Sequence, residues 1–592
     1  MEEQNRIPAE QFQAPKPQAQ LMLGNEAVAQ GAWEAGVAVV CSYPGTPSTE
    51  ITEACAKYPE LNVQWATNEK VAAEVAFGAA MAGARAMTCM KHVGVNVAAD
   101  PLFTAAYTGV NGGLVVCCAD DPAMHSSQNE QDSRYYARAA HIPMLEPADS
   151  QECRDFTKLA FQLSEELDTP VFVRLTTRIA HARSVVAVGE REAIALKPYI
   201  KDPQKYVMMP GMARKRHLQV EKRENFLAEA VNHMPINLLE MRKPDVGVVT
   251  SGACYQYVRD ALPDASVLKL GMVYPLPMEQ IHRFAGQVNR LIVIEELEGL
   301  IERDIKAAGI ACEGKNLTGI QGELSVERVS NAVLGTPLPD AGGAELPPRP
   351  PVLCPGCPHR GIFYAVSKLG LRVMGDIGCY TLAALPPLSA MDACLCMGAS
   401  IGMASGAERA QGKAFSKGTV AVLGDSTFLH SGITALIDAV YNQQATTVLI
   451  LDNRITGMTG HQQNPASGQD IHGNPAPAVD LEKLCESCGV RHITVLDPFD
   501  LKAVESALRT ETAREEVSVI IARRPCALLV RTVTPPYVIE GCKNCGACMK
   551  LSCPAIERRE KQVVINPALC IGCGMCAQVC PFKAIKEGVR GV

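Results

Sequence analysis

Two cysteine runs near the C-terminus have the types and spacing for iron–sulfur chemistry. Cys570-x2-Cys573-x2-Cys576-x3-Cys580-Pro581 is the spacing that wraps a [4Fe–4S] cubane. Cys542-x2-Cys545-x2-Cys548-x4-Cys553-Pro554 repeats it with one extra residue before the last cysteine. Where two such runs pair, the fourth cysteine of each ligates the other cluster. One cubane then takes Cys542, Cys545, Cys548 and Cys580, and the other takes Cys570, Cys573, Cys576 and Cys553. Cubanes move single electrons, so the rest of the 592-residue chain must hold their source.

A second constellation lies upstream. Gly424-Asp425-Ser426 closes one apolar run, a helical stretch follows, and Asp452-Asn453 closes the next run. In a βαβ crossover, Asp425 and Asn453 reach one crevice at the carboxyl ends of neighbouring strands. A carboxylate, an amide oxygen and the Ile455 carbonyl make half an octahedron, which suits Mg2+ completed by phosphate and water. Gly424 permits close backbone approach to a diphosphate. The pattern resembles the thiamine diphosphate motif, with Ser426 in place of its last glycine and Asp452-Asn453 in place of two asparagines. Two ordinary turn residues would look similar, but the following "TGMTGHQ" and the cysteine tail argue for a site.

Thiamine enzymes also need a glutamate whose protonated carboxyl bonds the pyrimidine ring, and burial favours that protonated form. Glu69, opening "EKVAAEVAFGAAMAG", is the candidate, and Glu74 competes with it. The plain alternative is a solvated first-turn glutamate favoured by the helix dipole.

The elements that must position these residues alternate as β–loop–α. Strands are expected at 37–42, through "GGLVVCCADDP", and at 168–177, 245–252, 290–296, 418–425, 446–453 and 517–524. Pro47 suits a first helical position, with Thr46 as N-cap. The expected architecture is α/β and multidomain, with doubly wound parallel-sheet domains and a two-cluster tail. The chain divides into an N-terminal arm (1–20), α/β domains at 21–185, 241–338 and 352–530, a connecting segment (186–240), a linker (339–351) and the tail (536–592). Net charge −7 argues against nucleic-acid binding, and no apolar run reaches the roughly 18 residues that span a bilayer. The acidic, polar start shows no signal-peptide pattern. Twenty-four cysteines then point to metal and redox use in a reducing, cytoplasmic and anoxic setting rather than to disulfides.

As a set, "YPGTPSTEI", "NEKVAAEVAFGAA", "DDPAMHSSQNEQDSRYYA", "CPGCPHRGIFYA", "GDIGCY", "MTGHQ" and the twin cysteine runs are specific. Over about residues 20–592 the chain resembles the α subunits of indolepyruvate:ferredoxin oxidoreductases, within the larger 2-oxoacid:ferredoxin oxidoreductase family. The resemblance implies pyrimidine-binding (21–185), transketolase C-terminal-like (241–338) and diphosphate-binding (352–530) domains. It favours Glu69 over Glu74 and places Thr46 at the substrate carboxylate, where a helix N-terminus would also attract an anion. No arginine of the pyruvate enzymes can be placed near "ADDPAMHSSQ"; His92, Asp121 and His125 are the nearby polar candidates. Cys354, Cys357, Cys379 and Cys526 stand where pyruvate enzymes hold a third [4Fe–4S] cluster, with zinc or free buried thiols as alternatives. Cys394-x-Cys396 could replace a member, Cys485-x2-Cys488 is a weaker pair, and His359 reads as structural.

The implied reaction is thiamine- and Mg2+-dependent oxidative decarboxylation of an arylpyruvate, with CoA as co-substrate. Electrons would leave through the clusters to an external ferredoxin. A small β subunit carrying the γ-type domain is expected as partner, in a dimer of heterodimers. The competing readings are another 2-oxoacid, a non-oxidative thiamine decarboxylase, and an electron-transfer subunit without catalysis.

Overall fold

The structure is a computed structural model that describes residues 18–338, 350–530, 534–560 and 562–588. The expected linker, except residues 350 and 351, and the arm up to residue 17 lie outside the described residues. Residues 18–20, assigned above to the arm, instead open the strand Gln18–Leu23, which pairs antiparallel with Arg183–Val188. The chain separates into two compact units, residues 1–343 and 344–592.

In the first unit, short apolar runs buried on both faces form the strands of a mainly parallel sheet. Its order is Met272–Tyr274, Met144–Leu145, Val171–Thr176, Leu114–Asp120, Ala86–Lys91, Val39–Ser42 and Asn62–Trp65. Met272–Tyr274 runs antiparallel to its neighbour and comes from the expected 241–338 domain. The same unit holds a four-stranded sheet ordered Leu291–Ile294, Lys243–Ser251, Ala265–Leu270 and Leu238–Glu240. One apolar core joins the two sheets, with Val116 and Phe172 packed alongside Val249 and Leu268.

Buried charges reinforce that junction. The Arg134 guanidinium pairs with Asp132 and with Glu295 at 2.6 Å, and Arg174 holds Asp120 and Glu146 at 2.7 Å. Buried ions need such full pairing, because an uncompensated partner costs several kcal/mol.

The second unit carries a six-stranded, all-parallel sheet. Its order is Ala393–Cys394, Arg372–Gly375, Thr419–Gly424, Thr447–Asp452, Ser518–Arg523 and His492–Leu496. The expected strand ends are neighbours here, with Gly424 in register with Leu451. The helical stretch after Gly424 is not one regular helix. It contains a π turn over Phe428–Gly432 before continuing as Ile433–Tyr441.

The tail is built of two antiparallel ribbons, Tyr537–Ile539 with Ile585–Glu587 and Ile556–Arg559 with Gln562–Ile565. Gly546 and Gly574 follow the second cysteine of each run at φ 75° and 77°, a left-handed turn that glycine adopts without steric cost. The extra residue of the first run is absorbed around Ser552, also left-handed at φ 56°. Among the described residues, no helix is long and apolar enough to cross a membrane.

Candidate functional site

In the second unit, Asp425 begins the helix that leaves Gly424 and is 2% exposed. Its carboxylate accepts the N–H of Ser426 at 2.7 Å and that of Arg454 at 2.8 Å, which binds it to the loop carrying Asn453. Among the described residues no side-chain cation pairs with Asp425. Burial, and next the charge of Asp452, push its pKa up to about 7. A buried carboxylate in this position is matched by a small hard cation, which would restore the charged form.

Asn453 Oδ1 accepts the Ile455 N–H at 3.2 Å, so two of the three predicted ligands share one tight loop, to which Asp425 is joined through the Arg454 N–H. Asp452, by contrast, serves as a strut, held by Arg523 at 2.7 Å and Arg454 at 3.1 Å. Ser426 Oγ accepts from Thr456 Oγ1 at 2.9 Å, tying the "TGMTG" loop to the strand end.

Gly424 also meets a neighbour that its position in the sequence did not suggest. Its N–H donates to Tyr380 Oη at 3.0 Å, and an added Cβ would lie 3.1 Å from the Tyr380 ring. The Tyr380 ring therefore lies beside this glycine. Tyr380 went unnoticed in the sequence, although it directly follows Cys379.

A cysteine quartet adjoins this crevice. The Cys526 N–H donates to the Asn453 carbonyl at 3.0 Å. An added Cβ on Gly457 would lie 3.4 Å from Cys379 Sγ. Burial, then the neighbouring thiols Cys526 and Cys354, push Cys379 up to about 11. Cys357 is raised to about 12 by burial, with Cys379 and Cys354 adding to the shift. Cys354 thus acts on both Cys379 and Cys357, and Cys526 acts on Cys379. Cys394 and Cys396 instead neighbour each other and Asp376. His359 Nε2 lies 3.5 Å from Asn453 Nδ2, and burial holds its pKa down to about 4, so the ring is a neutral spacer.

The tail folds its cysteines into two groups. One cavity is lined by Cys542, Cys545, Cys548 and Cys580. A second is lined by Cys553, Cys570, Cys573 and Cys576 together with Pro355, Gly356 and Arg360 from the body. The backbone N–H groups of Asn544, Tyr537 and Ala584 donate to Cys542, Cys570 and Cys580 sulfurs at 3.3, 3.4 and 3.3 Å. Raised thiol pKa values (Cys576 is pushed to about 12, by burial first) mean that ligation must displace protons. Among the described residues, no three cysteine sulfurs lie within 4.8 Å of one another. Tetrahedral zinc at about 2.3 Å would draw its sulfurs to about 3.8 Å.

In the first unit, Glu69 opens the helix Glu69–Met81 and is 5% exposed. Gly94 makes room for it, since an added Cβ there would lie 2.7 Å from Glu69 Cγ and Oε1. Glu74 is exposed and pairs with Lys70.

Thr46 does not cap a helix, contrary to the sequence expectation. The turn closed by the Ser48 N–H on the Gly45 carbonyl, at 2.9 Å, delays the helix to Thr49–Cys55. That helix has seven residues and Ser48, not Thr46, as its N-cap.

A cation that the sequence reading overlooked stands beside this turn. Lys91 ends the otherwise apolar strand Ala86–Lys91, is 8% exposed, and its Cβ lies 3.1 Å from where a Gly45 side chain would begin. Its Nζ donates to the Ser126 carbonyl at 2.6 Å, and Ser126 Oγ reaches the Thr46 carbonyl at 3.4 Å. Burial lowers the Lys91 pKa to about 8 against the pull of Asp121. A lysine closing "AMTCMK" was the available signal. Asp121 organises this loop, accepting from Ser126, Ser127 and Thr177. His92 is fully buried next to Lys91, and burial lowers its pKa. His125 lies apart, exposed and 3.4 Å from Glu323.

Three regions of the chain match known protein families. Residues 30–235 match the family described as pyruvate flavodoxin/ferredoxin oxidoreductase, thiamine diP-binding. Residues 376–522 match the thiamine pyrophosphate enzyme C-terminal TPP-binding domain, and 563–586 a 4Fe-4S binding domain. The chain is 41% identical to indolepyruvate oxidoreductase subunit IorA of Archaeoglobus fulgidus, over 95% of this chain and 97% of that one. It is 40% identical to the subunit of the same name from Methanothermobacter marburgensis, over 96% and 97% of the respective chains.

Proposed function

Since the chain belongs to the family of indolepyruvate oxidoreductase subunits IorA, we propose that it oxidatively decarboxylates arylpyruvates, indolepyruvate foremost, and forms the acyl-CoA. Its class, a thiamine-dependent 2-oxoacid:ferredoxin oxidoreductase subunit with an iron–sulfur domain, follows from the matched domains. The observation that carries the catalytic reading is the direct bond between Cys526 and Asn453, which sets a cysteine quartet against the cofactor crevice.

Asp425, Asn453 and the Ile455 carbonyl are the residues assigned to Mg2+, and through it to the diphosphate. When bound, thiamine diphosphate supplies an electron sink for decarboxylation of a 2-oxoacid. Glu69 is assigned the carboxyl that hydrogen-bonds the pyrimidine ring and relays its proton. Lys91, with Thr46 and His92 nearby, is assigned the substrate carboxylate. A buried ammonium bonded to a backbone carbonyl retains donors and charge for one anion. One cation for one carboxylate suits a mono-acid better than 2-oxoglutarate. An indole ring also gains from apolar burial, with aromatic side chains covering about 150–250 Å² at about 25 cal/mol per Å².

Cys354, Cys357, Cys379 and Cys526 are assigned a third cubane. The bond of Cys526 to Asn453 and the nearness of Cys379 to Gly457, which place these thiols beside the cofactor crevice, support it. From there the cavity lined jointly by Gly356, Arg360 and the Cys553 set is the next station. The Cys542 set follows and faces an external ferredoxin. The relatives' designation as a subunit supports a small partner chain.

The test is anaerobic purification with that partner and viologen reduction in competition between indolepyruvate, phenylpyruvate, pyruvate and 2-oxoglutarate, with and without CoA. Faster aryl turnover that requires CoA is expected. Equal or better turnover of pyruvate would reject the aryl assignment.

A further inference from the structure

Arg360 occupies an unusual place for a cation. It is 0% exposed, and among the described residues no carboxylate pairs with it. Its guanidinium is instead shared between two backbone loops of the second unit. Nη1 donates to the Leu551 carbonyl at 2.7 Å and to that of Ser552, directly before Cys553. Nη2 donates to the carbonyls of Leu353 and, at 3.0 Å, Cys354. The buried Nε–H has no acceptor. The titratable neighbours that act most on Arg360 are cysteines, Cys553 and Cys573 from the tail quartet and Cys357 and Cys354 from the body quartet, and Arg360 lines the same cavity as Cys553 and Cys573.

A guanidinium costs several kcal/mol to bury without an anion. Four carbonyl dipoles engage its two Nη groups but do not cancel its charge. Thiolate-ligated cubanes are anionic, so a cluster in each quartet would neutralise it from both sides. The loops are also locked sterically. An added Cβ on Gly356, at φ 66°, would lie 1.9 Å from Ile571 Cδ1, so the Cys354–Cys357 loop rests on the residue after Cys570.

We propose that Arg360 is a positioning residue that couples the body cluster to the tail cluster of Cys553, Cys570, Cys573 and Cys576, fixing their approach and raising both reduction potentials with one shared buried charge. This rests on the reading of the body quartet as a cluster. In the coupled step one electron leaves the reduced body cluster and enters the oxidised tail cluster, with no bond made and no proton moved. The electron originates from the 2-oxoacid. Because Arg360 touches both loops, the negative charge only changes sides around it, which keeps the cation compensated throughout. Charge and hydrogen bonding near the sulfurs are recognised levers on cluster potential.

The experiment uses the full chain with its small partner, purified anaerobically, as wild type, Arg360→Met and Arg360→Lys. Iron is counted first, and the clusters are then titrated by EPR. Wild type is expected to carry about twelve irons, four for each of three cubanes. About eight would overturn the body-cluster reading, and the coupling with it, whatever the potentials show. In Arg360→Met, iron is expected to stay while both adjacent clusters become harder to reduce by about tenfold, which is about 59 mV for a one-electron couple. The Cys542 set, away from Arg360, is expected to keep its potential. Arg360→Lys, which retains charge, is expected to recover most of the shift. Full iron with unchanged potentials in Arg360→Met would overturn the proposal, leaving Arg360 a mere strap. Should Arg360→Met lose iron, Arg360→Lys decides. Wild-type iron and potentials there support the charge, and loss of iron there as well would overturn it in favour of fork geometry alone.

Discussion

The backbone N–H of Cys526 donates to the carbonyl of Asn453 at 3.0 Å, so a predicted cluster ligand and a predicted metal ligand share one hydrogen bond. The residues come from the ends of adjacent parallel strands, Thr447–Asp452 and Ser518–Arg523. Ligand crevices in such sheets lie beyond the carboxyl ends of the strands. The bond therefore puts the place where electrons would be released against the place where they would be received.

Asp425→Ala should lose Mg2+ and thiamine diphosphate together, because one buried carboxylate supplies both charge and geometry. Affinity should fall by more than about 100-fold, the upper range for losing a residue that only supports a ligand. Calorimetric titration with the cofactor decides it, and wild-type affinity would remove Asp425 from the site.

Glu69→Gln should keep iron and fold but slow turnover by about 10²–10⁴-fold, since an amide cannot relay the proton. Gly94→Ala tests the same carboxyl without touching it. Its Cβ would lie 2.7 Å from Glu69 Oε1, and displacing that group by about 1 Å should cost about 10²-fold. Glu74→Gln should be close to neutral, and inactivity of that variant would transfer the role to Glu74.

Lys91 predicts a pH dependence with a definite sign. Burial holds its pKa at about 8, below the ordinary 10.5, so the folded chain releases this proton first. Between about 8 and 10.5 the unfolded chain binds more protons, and this group's contribution to stability rises with pH. Binding of the 2-oxoacid has the opposite trend. It needs the ammonium, so kcat/KM should fall above pH about 8 by roughly tenfold per unit. Lys91→Arg should abolish that limb, and Lys91→Met should cost about 2–5 kcal/mol of substrate binding. An alkaline limb that survives Lys91→Arg would assign it elsewhere.

Cys379→Ser should lower iron from about twelve to about eight per chain while the two tail clusters keep their EPR signals. If the body quartet held zinc, wild type would show about eight irons and one zinc per chain, which metal analysis distinguishes.

Much of the site was legible because it depends on short-range spacing. The cysteine runs define their own loops, and Asp425 and Asn453 follow apolar runs whose burial on both faces makes them parallel strands. Thr46 was misread because Pro47 suits a first helical position, whereas the Gly45–Ser48 turn postpones the helix to Thr49. The contact of Gly424 with Tyr380 was not legible, because the two are distant in sequence. The π turn over Phe428–Gly432 leaves no periodic trace, since one irregular turn does not change the apolar face of its helix.

The sequence by itself determined the chemistry on offer: two cubane runs, a hard-oxygen metal triad, and a glutamate among small residues. These are properties of neighbouring residues, set by covalent spacing and by the periods of helix and strand. Only the tertiary structure decided which distant groups complete them. It brought Cys379 and Cys526 to Cys354 and Cys357, set Lys91 against the Gly45 turn, buried Glu69 while leaving Glu74 in solvent, and placed Arg360 between two cysteine quartets. The physical reason is that burial and charge compensation belong to the packed neighbourhood, which is assembled from several strands and loops and written in no single one of them.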